Sequence, residues 1–193
     1  MARDYTTLPL SQLRRKDRGI EDERWIKDLL HQTPFGVFAM TFNNQPLVNS
    51  NIFAYDEESH LIYFHTAREG KTRSTLEKDS RVCFSISEMG RFLPAKRALN
   101  FSVEYKGVTV FGRVRIVEES DQAKHALQLL SDKYFPHLKP EVDYETASPD
   151  ELKRTTVYAI HIDEWSGKQK KVEDDFPGAF LYGQHPKPEP DNA

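Results

Sequence analysis

The sequence predicts a mainly β fold, an antiparallel barrel with flanking helices, and three observations carry that reading. Short runs rich in aromatic and β-branched residues follow one another from residue 35 onward, each bounded by turn residues. The first three runs are joined by four-residue turns at 43–46 and 56–59, far too short for the crossover that parallel strands need. A glycine, Gly112, sits inside the longest run, where a bend or bulge lets a sheet curl on itself.

In chain order, residues 1–20 are polar and basic, and Glu21, Asp22 and Glu23 then precede Trp25, Ile26, Leu29 and Leu30. Acidic residues favour a helix N-terminus and the apolar spacing is helical, so a short amphipathic helix ends before Pro34. Strands are expected over 35–42, 47–55 and 60–65. A turn and a short helix follow within 66–79. Val82, Phe84 and Ile86 alternate on the next strand, 81–87. A connecting loop is expected over 89–97, then residues 99–105, a turn at Lys106-Gly107, and a long strand over 108–117. Residues 118–121 cap the clearest helix, with Ala123, Leu127, Leu130 and Tyr134 on one stripe and Pro136 as its stop. A long loop over 137–154 leads to a last strand over 155–164, and the segment 184–193 lacks any apolar anchor.

Composition bounds the function. Leu, Ile, Val and Phe make up about a quarter of 193 residues, enough for one packed domain but a thin core. The division expected is a basic segment over 1–20, a domain over 21–168 and an extension over 169–193. A net charge of -3 gives no bulk reason to bind nucleic acid or an anionic membrane. The single cysteine, Cys83, excludes an internal disulfide, and with no apolar run long enough to span a bilayer the expectation is a soluble, cytoplasmic protein. The seven histidines show no metal-binding spacing, so no metal site is expected. The clusters Arg14-Arg15-Lys16 and Lys168-Gln169-Lys170-Lys171 lack interleaved aromatic rings, which speaks for solvated surface rather than a nucleic-acid platform.

Two segments carry chemistry. In His65 to Ser74, a strand end, Gly70 and three cations meet at the start of a helix. Free N–H groups, a glycine that permits close approach and the Lys71 charge suit a phosphate; the same residues also read as a solvated turn. A P-loop is excluded, because position 65 is His where that motif needs Gly and the sheet is antiparallel. After the last strand, Trp165 and Lys168 offer an aromatic plane and a cation, suited either to flanking a planar phosphorylated ligand or to covering an open barrel end.

Ile62-Tyr63-Phe64-His65 followed by Gly70-Lys71, together with Phe101-Ser102-Val103 and Val110-Phe111-Gly112-Arg113-Val114, resembles the pyridoxamine 5'-phosphate oxidase-like split barrels, in particular their nitroimidazole-resistance branch. The similarity spans about 14–168. It implies a homodimer that binds FMN in two interfacial clefts and acts as an oxidoreductase on a small molecule, or else a carrier or sensor holding flavin or haem without turnover. By the same resemblance Asn51, Ile52 and Phe53 would line the flavin ring, Phe64, His65 and Thr66 would border the flavin and its ribityl chain, and Lys71 would hold the phosphate. Ser102 would lie nearby, Trp165 and Lys168 would come from the second subunit, and His65 would play the chemical or substrate-positioning role. Relatives often carry Pro where Ser50 stands and Asn where Ile52 stands.

Overall fold

A computed structural model describes residues 4–185 of the chain. Eight strands form one antiparallel sheet: β1 (Gly19–Ile20), β2 (Gly36–Phe42), β3 (Gln45–Asn51), β4 (Ala54–Asp56), β5 (Leu61–Ala67), β6 (Arg81–Leu93), β7 (Ser102–Ile116) and β8 (Thr155–Lys170). Four helices flank them: α1 (Glu23–Gln32), α2 (Lys71–Leu76), α3 (Ser120–Tyr134) and α4 (Pro149–Leu152). The strand order is β3-β2-β6-β7-β8-β5-β4, with β1 also pairing to β8. The two outer strands of that path, β3 and β4, are consecutive in the chain, so the sheet curls until its edges face each other across a seam. This is a split barrel.

Local chemistry sets these elements. The β2–β3 hairpin turns on Asn43 and Asn44, both at positive φ (49° and 61°), where asparagine is tolerated and the turn matches strand twist. Pro46 sits on the edge strand β3, where a missing N–H costs little. The Asp22 side chain accepts hydrogen bonds from the N–H groups of Arg24 and Trp25, which starts α1 and contributes about 1 kcal/mol. By contrast α3 begins after Glu119 with no side-chain cap. The 137–154 stretch, expected to be all loop, contains α4, closed by a reciprocal capping box between Ser148 and Glu151.

Four boundaries differ from the sequence expectation. The expected strand 47–55 is two strands, because Ile52 and Phe53 carry the chain across the seam. β6 runs on to Leu93 through a register shift between Met89 and Phe92, where a loop was expected. β7 is continuous through Lys106 and Gly107 rather than turning there; a Cβ on Gly107 would lie 2.8 Å from the Ile86 carbonyl oxygen, so this glycine serves close strand packing. β8 extends to Lys170 because β7 pairs with it along its length. The expected irregularity at Gly112 is present as a register shift between Phe111 and Gly112.

The barrel interior is aromatic. Phe38 and Phe64 stack at 4.1 Å, Phe64 and Tyr158 at 4.7 Å, and Phe84 packs on Phe38 and Phe53. Each such buried ring contributes roughly 1.5–3 kcal/mol. α1 closes one end with Ile26, Leu29 and Leu30, beside Trp25 and Trp165. A second cluster lies outside the barrel, where Leu61, Tyr63, Val157 and Ala159 meet Ala123 and Ala126 of α3. Residues 61–64 are therefore all buried, because β5 is covered on both faces.

Candidate functional site

At the seam β3 and β5 do not pair through their backbones, and side chains make the connection. Asn51 Nδ2 donates to the His65 carbonyl at 2.7 Å, and Asn49 Nδ2 donates to Thr72 Oγ1 of α2 at 3.1 Å. Asn51 Oδ1 also accepts the Ile52 N–H at 2.9 Å. The crossing residues are held from outside by the last residue of α3: the Tyr134 hydroxyl accepts the Phe53 N–H at 3.0 Å and shares its hydrogen between the carbonyls of Pro34 (2.7 Å) and Phe53 (2.9 Å). Lys133 donates to the Leu30 carbonyl at 3.0 Å and lies 3.7 Å from the Phe53 ring centre. Burial pushes its ammonium down to about 8.

His65 stands on the outer face of β5, beside Ile52, and lines a chamber of about 610 Å³ under α3 and the 144–151 segment. Its Nδ1 is buried with no hydrogen-bond partner, and burial lowers the pKa of the ring. The imidazole is therefore neutral at physiological pH.

Gly70 has φ 148° and ψ 171°, a region open essentially to glycine alone, and a Cβ there would meet nothing within 4 Å. The backbone at this point is accessible to a ligand. Of the three cations expected here, Arg68 donates to the Lys153 carbonyl, and Arg73 to Glu77, the Arg68 carbonyl and Thr156. Lys71 has no carboxylate partner among the described residues; its ammonium lies 5.4 Å from the Phe42 ring. α2 has only six residues, so its dipole adds little and anion affinity at this point falls to Lys71 and the open backbone.

The remaining expected residues divide. The side chains of Phe53 and Phe64 point into the barrel core, so neither ring can stack on a flavin and only their backbones border the seam. The Thr66 hydroxyl faces the Ala67 carbonyl and the Tyr158 hydroxyl. Ser102 accepts a hydrogen bond from Lys170, and Lys168 lies 5.5 Å from the Tyr105 ring. Trp165 packs on His60 at 4.8 Å and on Tyr55 at 6.3 Å, covering the barrel end closed by α1. Trp165 and Lys168 lie beyond residues 155–161, the part of β8 that pairs with β5, and Ser102 starts β7 opposite Leu93 of β6, so within one chain these three do not reach the seam. Sequence reasoning missed Asn49, Thr72 and Tyr134 as seam residues. Tyr134 was readable as the last member of the α3 stripe, but nothing local announced what its hydroxyl holds.

A family model for pyridoxamine 5'-phosphate oxidase matches residues 22–169. The chain belongs to the pyridoxamine 5'-phosphate oxidase family. Among curated proteins none matches its sequence. Solved structures with the same fold include the FAD and haem binding protein from Mycobacterium smegmatis, with 19% identity, TM-score 0.73, 80% of this chain and 74% of that chain covered. The flavocytochrome Anf3 from Azotobacter vinelandii has 22% identity, TM-score 0.72, and coverage of 94% and 88%. A Bacteroides thetaiotaomicron protein named for 5-nitroimidazole antibiotic resistance has 21% identity, TM-score 0.65, and coverage of 78% and 86%.

Beyond the family match, this member carries a C-terminal strap. The Arg91 guanidinium pairs with the buried carboxylate of Glu104 at 2.8 and 2.9 Å, and it also donates to the carbonyls of Val172, Glu173 and Asp174. Glu104 in turn accepts the Val172 N–H at 2.9 Å. Arg91 first, and then the Val172 N–H, hold the Glu104 carboxyl down to about 2. Phe92 and Phe180 exchange backbone hydrogen bonds at 2.7 and 3.2 Å and stack their rings at 5.5 Å. Among the described residues no helix is long and apolar enough to cross a membrane, and no group of three or more His, Cys, Asp or Glu is placed to hold a metal ion. Of the expected unanchored segment, residues 186–193 lie outside the described residues.

Proposed function

We propose that the protein is an FMN-dependent oxidoreductase acting on a small organic molecule, working in the cytoplasm as a homodimer. The observation that carries this reading is the seam itself: side chains rather than a backbone ladder join β3 to β5 and α2, and beside that junction Lys71 presents a cation with no carboxylate partner next to the open backbone of Gly70. Family membership and the flavin-binding names of the structural relatives point the same way.

In this reading Lys71 and Thr72 hold the phosphate, the Gly70 backbone allows its approach, and Asn51, Ile52 and His65 border the rest of the cofactor. Bound flavin supplies the hydride or electron chemistry. The chain's own residues do the positioning. Asn51 and Tyr134 fix the crossing at residues 51–53, and neutral His65 lies beside it on β5. A second copy would cover exposed apolar residues such as Phe35, Val48, Leu99 and Phe101, and Trp165 and Lys168 of that copy would complete the cleft.

The absorption spectrum of purified protein, followed by anaerobic addition of NAD(P)H, tests the proposal. Flavin absorbance that bleaches on reduction supports it, and a colourless protein that takes up no FMN refutes it. A second reading, haem in place of flavin, is favoured by the names of two structural relatives, an FAD and haem binding protein and a flavocytochrome. A Soret band in the same spectrum would select it.

A further inference from the structure

The β6–β7 hairpin runs on past the barrel. Its last rung with β2 is at Ser85, and its last with β8 joins Tyr105 to Lys170. Residues 90–104 therefore form an arm, flanked by the C-terminal strap through Phe92 and Phe180. The Arg91 guanidinium, held by Glu104 and by the strap carbonyls, fixes the base of this arm. Its tip is bare: every residue from Ala95 to Phe101 is exposed, Leu99 to 95% and Phe101 to 60%. The salt bridges near the arm's base, Arg91 with Glu104 and Lys106 with Glu88, leave Lys96 and Arg97 at the tip without a carboxylate among the described residues. Apolar side chains grouped on an exposed element mark a contact surface, and rigid presentation lowers the ordering cost of association.

The chamber under α3 has the complementary chemistry. Its body is apolar, formed by Ile52, Leu127, Leu130 and Phe135, and the charged residues of its lining, Lys124, Glu145 and Glu151, leave a net negative charge. The segment 141–151 along its wall carries Glu141, Asp143, Glu145, Asp150 and Glu151 and no Lys or Arg. Of these, Asp150 is in a salt bridge, with Lys153, and the others have none among the described residues. Hydrogen bonds from Thr146 and Ser148 lower the pKa of Glu141 and Glu151, so both stay ionised. The exposure of Leu99 and Phe101 shows that the tip does not fill the chamber of its own chain.

We propose that residues 96–101 of one copy dock in the chamber under α3 of a second copy, with Leu99 and Phe101 against its apolar body and Lys96 and Arg97 facing Glu145 and Glu151. The proposal rests on the homodimer of the functional reading and names the surfaces that make it. Matching of apolar and charged parts gives the contact its specificity. The exchange is reciprocal: two tips fill two chambers, and assembly closes at two copies. Ile52 and His65 line the same chamber, so the docked tip stands on the outer side of the other copy's seam and completes each site.

Sedimentation velocity of the full chain, with and without FMN, tests the proposal together with photo-crosslinking from benzoylphenylalanine placed at position 99 in a mixture of isotope-labelled and unlabelled copies. Wild type should sediment as a dimer that weakens as salt rises. Leu99→Asp and Glu145→Lys should each weaken dimerisation by roughly tenfold or more, with circular-dichroism melts as in wild type because both side chains are exposed. Cross-links should join labelled to unlabelled chains and map to the chamber lining. A monomeric wild type overturns the proposal, as does a dimer that either substitution leaves intact, and as do cross-links that fall within one chain or outside the chamber. A dimer with this arm dependence that takes up no FMN refutes the flavin reading and upholds the docking.

Discussion

Replacing Tyr134 by Phe removes one oxygen and leaves the ring, so it isolates what that hydroxyl does at the seam. The oxygen accepts the N–H of buried Phe53 at 3.0 Å and its hydrogen is shared by the Pro34 and Phe53 carbonyls. An amide stranded without a partner costs about 1–3 kcal/mol, and the lost donation adds about 1 kcal/mol. No cavity opens, because the ring is retained. The sum is about 3 kcal/mol, which in a chain of this length lowers the melting temperature by about 6–12 °C. Thermal unfolding followed by circular dichroism measures it. Tyr144→Phe is the control: Tyr144 accepts one bond from Gln128, which keeps Asp132 as a second partner, so its cost stays below about 1 kcal/mol. If Tyr134→Phe melts within the range of that control, water replaces the hydroxyl and the clamp at residues 51–53 is not what holds the seam.

Lys71→Ala should weaken FMN binding by about 1.5–3 kcal/mol, roughly tenfold to 150-fold in dissociation constant, while riboflavin binding stays unchanged; equilibrium titration reads both. Gly112→Ala should destabilise by about 3 kcal/mol in chemical denaturation, because the added Cβ would sit 2.1 Å from the His161 carbonyl oxygen and the two nearest atoms are both backbone. The Glu104 carboxyl is held at about 2 against an ordinary 4.5, so its contribution is complete above pH 4.5 and is lost as the pH falls toward 2. Glu104→Gln should therefore melt lower than wild type at pH 7 and lose less on acidification to pH 3, and parallel melting curves across that range would contradict the assignment.

The sheet was legible because alternation and turn chemistry are local. Val82, Phe84 and Ile86 announce their strand, and the Asn43-Asn44 pair announces its hairpin. What sequence could not place were features decided by partners far along the chain. Residues 47–55 read as one strand, since nothing at Ile52 or Phe53 signals that the sheet edges meet there. Lys106-Gly107 reads as a turn, whereas β6 and β8 on either side keep it extended. In the site, Lys71 was legible because glycine and a cation at a strand-to-helix turn have a physical meaning alone. Phe53 and Phe64 were expected beside the ligand, yet strand alternation and the aromatic core claim both rings. His65 was singled out through family resemblance, and the structure adds a chamber and an unpartnered nitrogen, both products of α3 packing over β5.

The central claim is that the seam beside Lys71 is a flavin phosphate site. Titration of cofactor-free protein with FMN and with riboflavin, followed by flavin fluorescence, tests it most directly. The account predicts saturable FMN binding that is tighter than riboflavin binding by roughly tenfold or more, reflecting the phosphate contact. Equal affinity for the two flavins, or no binding of either, would contradict it.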